Sequence, residues 1–200
     1  MPKRVDHAER RTEIAQALVR AAGRQGLHAV GMRDVAAEAG VSLRLVQYYF
    51  ESKEKLLLFG LRHLTDRFGE RVAAQVRAAD DNPGPRAVIE ALLTAALPVD
   101  EESRLFHHLY TSYAVLSVTD EALAAQPFIK DPDAAEITLT GLLQQAADAG
   151  LLRAGMDTHA EAVGLLAMSA GLGTSVLVGQ RSAESATAVL RYHLDRIFRP

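Results

Sequence analysis

The chain of 200 residues contains no cysteine. That excludes disulfides and thiolate metal ligands, and it suits a reducing, cytoplasmic setting. The low hydrophobicity and high net charge of disordered chains are also missing: 48% of residues are hydrophobic and the net charge is −3. A chain of this size can bury one good core, or join a small domain to a larger one. The opening MPKRVDHAERR has no apolar run, so no secretory signal is expected. Internal repeats and low-complexity tracts are absent, and no two-residue alternation marks a strand. Catalytic signatures are equally scarce. GLGTS (171–175) lacks the lysine and length of a phosphate loop, and no nucleophile turn surrounds a serine. His107 and His108, adjacent on a helix, point roughly 100° apart and cannot share a metal ion. Asp157-x-His159-x-Glu161 puts its carboxylates at a helix start, where they are favoured for ordinary reasons. Neither enzyme, metal site nor cofactor is expected.

What is present is helical spacing throughout. A first helix starts at Asp6, with Glu9 completing a capping box, and buries Ile14, Ala15, Leu18, Val19 and Ala22 before Gly26 ends it. A second follows Gly31, turns Val35, Ala36 and Ala39 inward and stops at Gly40. A third runs from the N-cap Ser42 to about Phe50. Ser52 caps a long fourth helix whose stripe of Leu57, Leu61, Leu64, Phe68, Val72 and Val76 continues to about Ala79. DDNPGP (80–85) is the clearest break. Further helices are expected near 85–97, 101–119, 133–149, 157–179 and 183–198, with a broken piece at 120–130 interrupted by Pro127 and Pro132. The chain is all-α, with a three-helix domain over 1–52 and a larger helical domain over 53–200.

The third helix carries an unusual cluster, Tyr48, Tyr49 and Phe50, although the chain has only five Tyr and six Phe. A core has use for the phenylalanine but little for two adjacent phenols. Val46 and Phe50 lie four apart and face inward, whereas Arg44, Gln47 and Tyr48 share the opposite face, with Leu45 and Tyr49 at its border. Joined to the second helix by AGVS (39–42), this is a helix-turn-helix: Gly40 suits the left-handed conformation that ends a helix. Arginine can bond bidentately to guanine, glutamine to adenine, and a phenol can donate to phosphate. Lys53 and the amides at the start of the fourth helix could hold a phosphate from the side. The competing reading is an ordinary exposed helix with incidental aromatics. Residues 1–55 carry ten Lys/Arg against seven Asp/Glu, and the remainder twelve against eighteen, which leans the same way as DNA binding.

MRDVAAEAGVSLRLVQYYFESKEKLL (32–57) resembles the DNA-binding segment of TetR-family transcriptional regulators, whose pattern reads approximately A-G-V-S-x-G-x-L-Y-x-H/Y-F-x-S-K-E-x-L. Ala39, Gly40, Val41, Ser42, Tyr49, Phe50, Ser52, Lys53, Glu54 and Leu56 match it as they stand. The resemblance implies that Arg33, Arg44, Leu45 and Gln47 meet base edges, while Tyr48, Tyr49 and Lys53 hold phosphates beside the cap Ser42. Arg44 stands where a small residue is usual and Gln47 where a tyrosine is usual, so the operator sequence cannot be borrowed. Gly31 replaces a frequent capping threonine.

The same resemblance implies a homodimer on a palindromic duplex operator, pairing through the last two helices, and a small-molecule effector that releases the DNA. Ala167, Gly171, Ser175 and Gly179 recur every four residues as a smooth ridge in the uncharged 162–179 stretch. Its many Gly, Ser and Thr residues favour helix packing over membrane insertion. Val189, Leu190, His193 and Ile197 stripe the last helix, and the alternative is that both helices bury these faces within one monomer. Phe59, His63, Phe106, His107, Tyr110, Tyr113, Phe128 and Met168 enrich the middle in rings and polar groups. They either fill a core or line an effector cavity. A regulator without a ligand, and a helical interaction protein without DNA binding, remain as alternatives.

Overall fold

The protein is described here from a computed structural model that covers residues 7–27, 29–79, 83–119, 121–124 and 134–199. The helices are α1 (His7–Gln25), α2 (Met32–Ala39), α3 (Leu43–Phe50), α4 (Lys53–Ala79), α5 (Pro85–Ala95), α6 (Glu101–Ser117), α7 (Glu121–Ala124), α8 (Ala134–Asp148), α9 (Thr158–Leu177) and α10 (Ala183–Ile197). The boundaries expected from periodicity hold to within two residues for every long helix. Asp6 of the expected capping box lies outside the described residues, as do Pro127, Phe128 and Pro132. Of the expected piece at 120–130 only α7 is described.

Two compact units divide the chain, one from residues 1–67 with 108–123, the other from 68–107 with 124–200. Helices α4 and α6 each contribute to both. In the first unit, Ile14, Ala15 and Ala22 of α1 are fully buried, with Leu18 and Val19 nearly so. Also buried in this unit are Val35 and Ala36 of α2, Val46 and Phe50 of α3, Leu56, Leu57, Leu61 and Leu64 of α4, and Leu109 and Tyr113 of α6. α4 approaches α1 closely at Gly60, where a Cβ would stand 2.5 Å from Leu18 Cδ2. On the surface, Arg20 Nε donates to Glu38 Oε1 at 2.8 Å and Arg24 holds the other oxygen, tying α1 to α2. Donation from Arg24 and then Arg20 holds the Glu38 carboxyl below its ordinary value of 4.5.

The second unit has its own core. Ile89, Leu93 and Leu97 from α5 and the turn after it pack with Leu139 and Leu143 of α8, Leu165 and Leu172 of α9, and Leu190, Leu194 and Ile197 of α10. α5 starts as expected at Gly84-Pro85, proline suiting the first helical position. Asp157 caps α9 by accepting from the amides of His159 and Ala160 at 3.0 and 3.1 Å. Ser182 caps α10 by accepting from Ser185 N at 3.2 Å. α6 begins with a reciprocal cap, Ser103 N donating to Asp100 Oδ1 at 2.7 Å and Asp100 N to Ser103 Oγ at 3.0 Å. Arg71 of α4 bridges Asp100 and the Ala95 carbonyl, the latter at 2.8 Å. By length and composition α9 could cross a bilayer, with mean hydropathy 1.4. Its Ala162, Leu165, Leu172 and Val176 are instead inside this core.

Candidate nucleic-acid interface

Local chemistry builds the helix-turn-helix. Gly40 has φ 65° and ψ 32°, and Val41 N donates back to Ala36 O at 2.9 Å, closing α2 with a left-handed glycine. At the other end of α2, Gly31 has no side chain to cap with. Asp34 compensates by accepting from Gly31 N at 2.8 Å. Ser42 Oγ accepts from Leu45 N at 3.2 Å and starts α3. Its hydroxyl hydrogen is a separate donor.

On α3, Val46 and Phe50 are buried, Arg44, Gln47 and Tyr48 are exposed, and Leu45 and Tyr49 are half-buried. The face expected from spacing is the face observed. Tyr48 is the extreme, with 69% of its surface in solvent. Arg33 is exposed in the first turn of α2. In α1, Arg10 is committed to Glu13, and Arg20 and Arg24 to Glu38. Arg33 and Arg44 form no ion pair among the described residues, so both guanidiniums keep all five donors for an anionic partner.

Between α3 and α4 the chain turns sharply. Glu51 has φ 58° and ψ −48°, the one described non-glycine residue with positive φ, and Ser52 N donates to Phe50 O at 2.5 Å across it. Ser52 Oγ accepts from Lys55 N at 3.3 Å, the cap expected for α4, and Lys53 is half-buried as that helix's first residue.

The middle-domain set is not one cluster. Phe59 is half-buried in the first unit, its ring 5.3 Å from Phe50 and beneath the Arg11 guanidinium at 4.6 Å. Tyr113 is 1% exposed and, with Leu18, Leu57, Gly60 and Leu109, borders a gap of only about 10 Å³. Ligand pockets run to about 300–1,000 Å³, so the gap beside Tyr113 is too small for an effector, and of the two alternatives for this residue the core is the one observed. His63 and Tyr110 are half-buried in the same unit. In the second unit Phe106 stacks face to face on Phe68, centroids 4.9 Å apart at 7°, and Met168 packs against the core. His107 is buried, with Nε2 3.2 Å from Thr174 Oγ1 and its ring against Gly173. Phe128 lies outside the described residues.

The pairing candidates also divide. Ala167 and Gly171 are exposed and Ser175 half-buried along α9, so the ridge faces outward. Gly179 is not part of it: α9 ends at Leu177, and Gly179, at φ 78°, is the left-handed residue that closes the helix. On α10, Val189 and His193 are half-buried, but Leu190 is 0% and Ile197 4% exposed within their own chain. Those two have no area to offer a partner. The stripe was real, and its covering body is the chain's own core. The outer side of α10 instead borders an open groove of about 590 Å³ between Val99, Thr187, Ala188 and Tyr192. Sequence reading assigned no role to His7, Arg11, Gly173 and Thr174, and placed Phe68 only on an apolar stripe; their contacts come from distant segments and leave no local signal.

A buried-face, exposed-face third helix joined by a left-handed glycine to a second makes this a helix-turn-helix protein with an all-helical companion unit. Residues 14–58 match the family of bacterial regulatory proteins of the tetR type, and residues 85–199 match the C-terminal domain of BetI-type transcriptional repressors. The chain belongs to the TetR family, with a BetI-type C-terminal domain. The HTH-type transcriptional regulator PksA of Bacillus subtilis is 30% identical over 103 residues, 52% of this chain and 49% of that protein. The HTH-type transcriptional regulator BetI of Agrobacterium fabrum is 38% identical over 102 residues, 50% and 48% of the two chains. The chain thus aligns with about half the length of these curated relatives. A TetR-family regulator from Rhodococcus sp. has the same fold with TM-score 0.84 at 24% identity, covering 96% of this chain and all of that one. A transcriptional regulator from Saccharomonospora viridis, solved in complex with choline, reaches 0.80 at 23%, with the same coverage.

Proposed function

We propose that this protein is a cytoplasmic, dimeric transcriptional repressor that binds a palindromic DNA operator and is released by a small-molecule effector. One observation carries the DNA reading: α3 buries Val46 and Phe50 and holds Arg44, Gln47 and Tyr48 out together. Arg44 and Gln47 read base edges in the major groove, aided by Arg33 and Leu45, while Tyr48, Tyr49, Lys53 and the Ser42 hydroxyl hold phosphates. The chain acts by binding rather than by catalysis.

Dimer formation is supported by α9. A helix apolar on all sides needs cover on all sides. Its inner face is in the second unit's core, yet Val163 is 41% exposed beside exposed Ala167 and Gly171. A second copy laid along this small-residue ridge covers it and sets the spacing of the two α3 helices. The effector reading rests on family membership and on buried His107, whose Nε2 meets the exposed Thr174 hydroxyl. Choline, bound to the Saccharomonospora viridis regulator, is the first molecule to try. An effector that favours a dimer with mismatched spacing lowers DNA affinity by linkage. Selection of bound fragments from genomic DNA, repeated with candidate effectors, tests this: a palindromic consensus released by a ligand is expected. Recovery of no enriched sequence refutes the operator reading, and a consensus insensitive to every ligand refutes the effector.

A further inference from the structure

Resting on the reading of α3 as the DNA-contacting helix, we propose that His7 is a positioning residue of that surface. It donates from Nδ1 to the Tyr49 phenol oxygen and turns the phenol hydrogen toward a backbone phosphate. His7 opens α1 and lies 42 residues from Tyr49 in sequence. Its Nδ1 is nonetheless 3.1 Å from the Tyr49 hydroxyl, with ring centroids 5.8 Å apart. Tyr49 also meets the Tyr48 ring edge-on at 5.2 Å and 79°. The half-buried phenol therefore has one partner on α1 and one on its own helix.

The chemistry of the phenol oxygen gives the contact a direction. A tyrosine hydroxyl has one hydrogen to give and lone pairs that accept. If Tyr49 gives its hydrogen to His7, none is left for a phosphate, which only accepts. If His7 gives instead, the Tyr49 hydrogen is free, and the two bonds in series polarise one another. An approaching phosphate selects the second arrangement. The relay runs from His7 Nδ1–H to the Tyr49 oxygen and from Tyr49 O–H to the phosphate. Fixing the phenol beforehand also removes part of the ordering cost of binding.

The test is a double-mutant cycle on the full chain, read as fluorescence anisotropy on a short mixed-sequence duplex at low ionic strength, with melting temperatures alongside. His7→Leu is expected to weaken binding by about threefold to tenfold, the effect of one hydrogen bond, with little change in melting. His7→Asn restores affinity, because its side-chain amide stands where Nδ1 does and can donate. In a Tyr49→Phe background His7→Leu has no further effect. Equal losses in His7→Leu and His7→Asn, or effects that multiply in the double variant, overturn the relay alone. Wild-type protein that fails to bind any duplex overturns both the relay and the DNA reading beneath it.

Discussion

Gly173→Ala and Gly141→Ala make the same chemical change inside two helices of one unit, and the structure expects opposite results. Both replace a helix-interior glycine, which favours the helix by about 0.8–1.0 kcal/mol. A Cβ at Gly141 meets nothing within 4 Å, so that gain stands alone. At Gly173 the Cβ lands on the His107 ring, touching Cε1 and approaching Nδ1 at 2.7 Å and Nε2 at 3.1 Å. His107 is 6% exposed, so the ring has no solvent to move into. Overpacking of this kind costs about 1–3 kcal/mol. Displacing the ring also breaks the 3.2 Å bond to Thr174, worth about 1 kcal/mol. Gly173→Ala is therefore expected to be less stable than wild type by about 1–3 kcal/mol, and less stable than Gly141→Ala by about 2–4 kcal/mol. Thermal melts followed by circular dichroism resolve such a gap, since about 2–4 °C accompanies each kcal/mol in a chain of this size. Adding His107→Ala to Gly173→Ala makes room for the methyl and recovers part of the loss. A Gly173→Ala protein that melts with or above Gly141→Ala refutes the close approach of α6 and α9.

Three further outcomes follow. Arg44→Ala is expected to relax sequence preference at one position per half-site by about 1–3 kcal/mol, while Lys53→Ala weakens binding to all sequences and flattens the salt slope by about one unit; identical behaviour of the two in salt titrations refutes the division into base and phosphate contacts. Gly171→Leu adds a side chain where its own chain has nothing within 4 Å, so folding should survive while sedimentation shows monomers; an unchanged dimer refutes the α9 ridge as the seam. The folded Glu38 carboxyl is depressed by Arg24 and Arg20, so its contribution is present above the ordinary value of 4.5 and disappears as pH falls through the folded value. Wild type should exceed Glu38→Gln in stability at neutral pH and converge with it in acid, and parallel profiles across that range exclude the clamp.

Much of the candidate interface was legible because its determinants are local. Gly40 closes α2, Ser42 and Ser52 open α3 and α4, and the positions of Val46 and Phe50 turn Arg44, Gln47 and Tyr48 outward. Each of these acts within one or two helical turns, so a single sequence carries it. The middle was not legible in the same way. Phe106, Tyr110 and Tyr113 have one spacing but different surroundings. Phe106 stacks on Phe68, Tyr113 is sealed against Leu18 and Leu109, and Tyr110 is half-buried. Periodicity names a face and is silent about what stands opposite it.

The sequence by itself determined where the helices start and stop and which side of α3 faces solvent, since backbone capping and a 3.6-residue repeat need no distant partner. Only the tertiary structure decided that Leu190 and Ile197 face their own core, that His107 rests on Gly173, and that His7 reaches Tyr49. Those contacts join residues far apart in the chain, and which pair meets depends on how whole helices pack against one another.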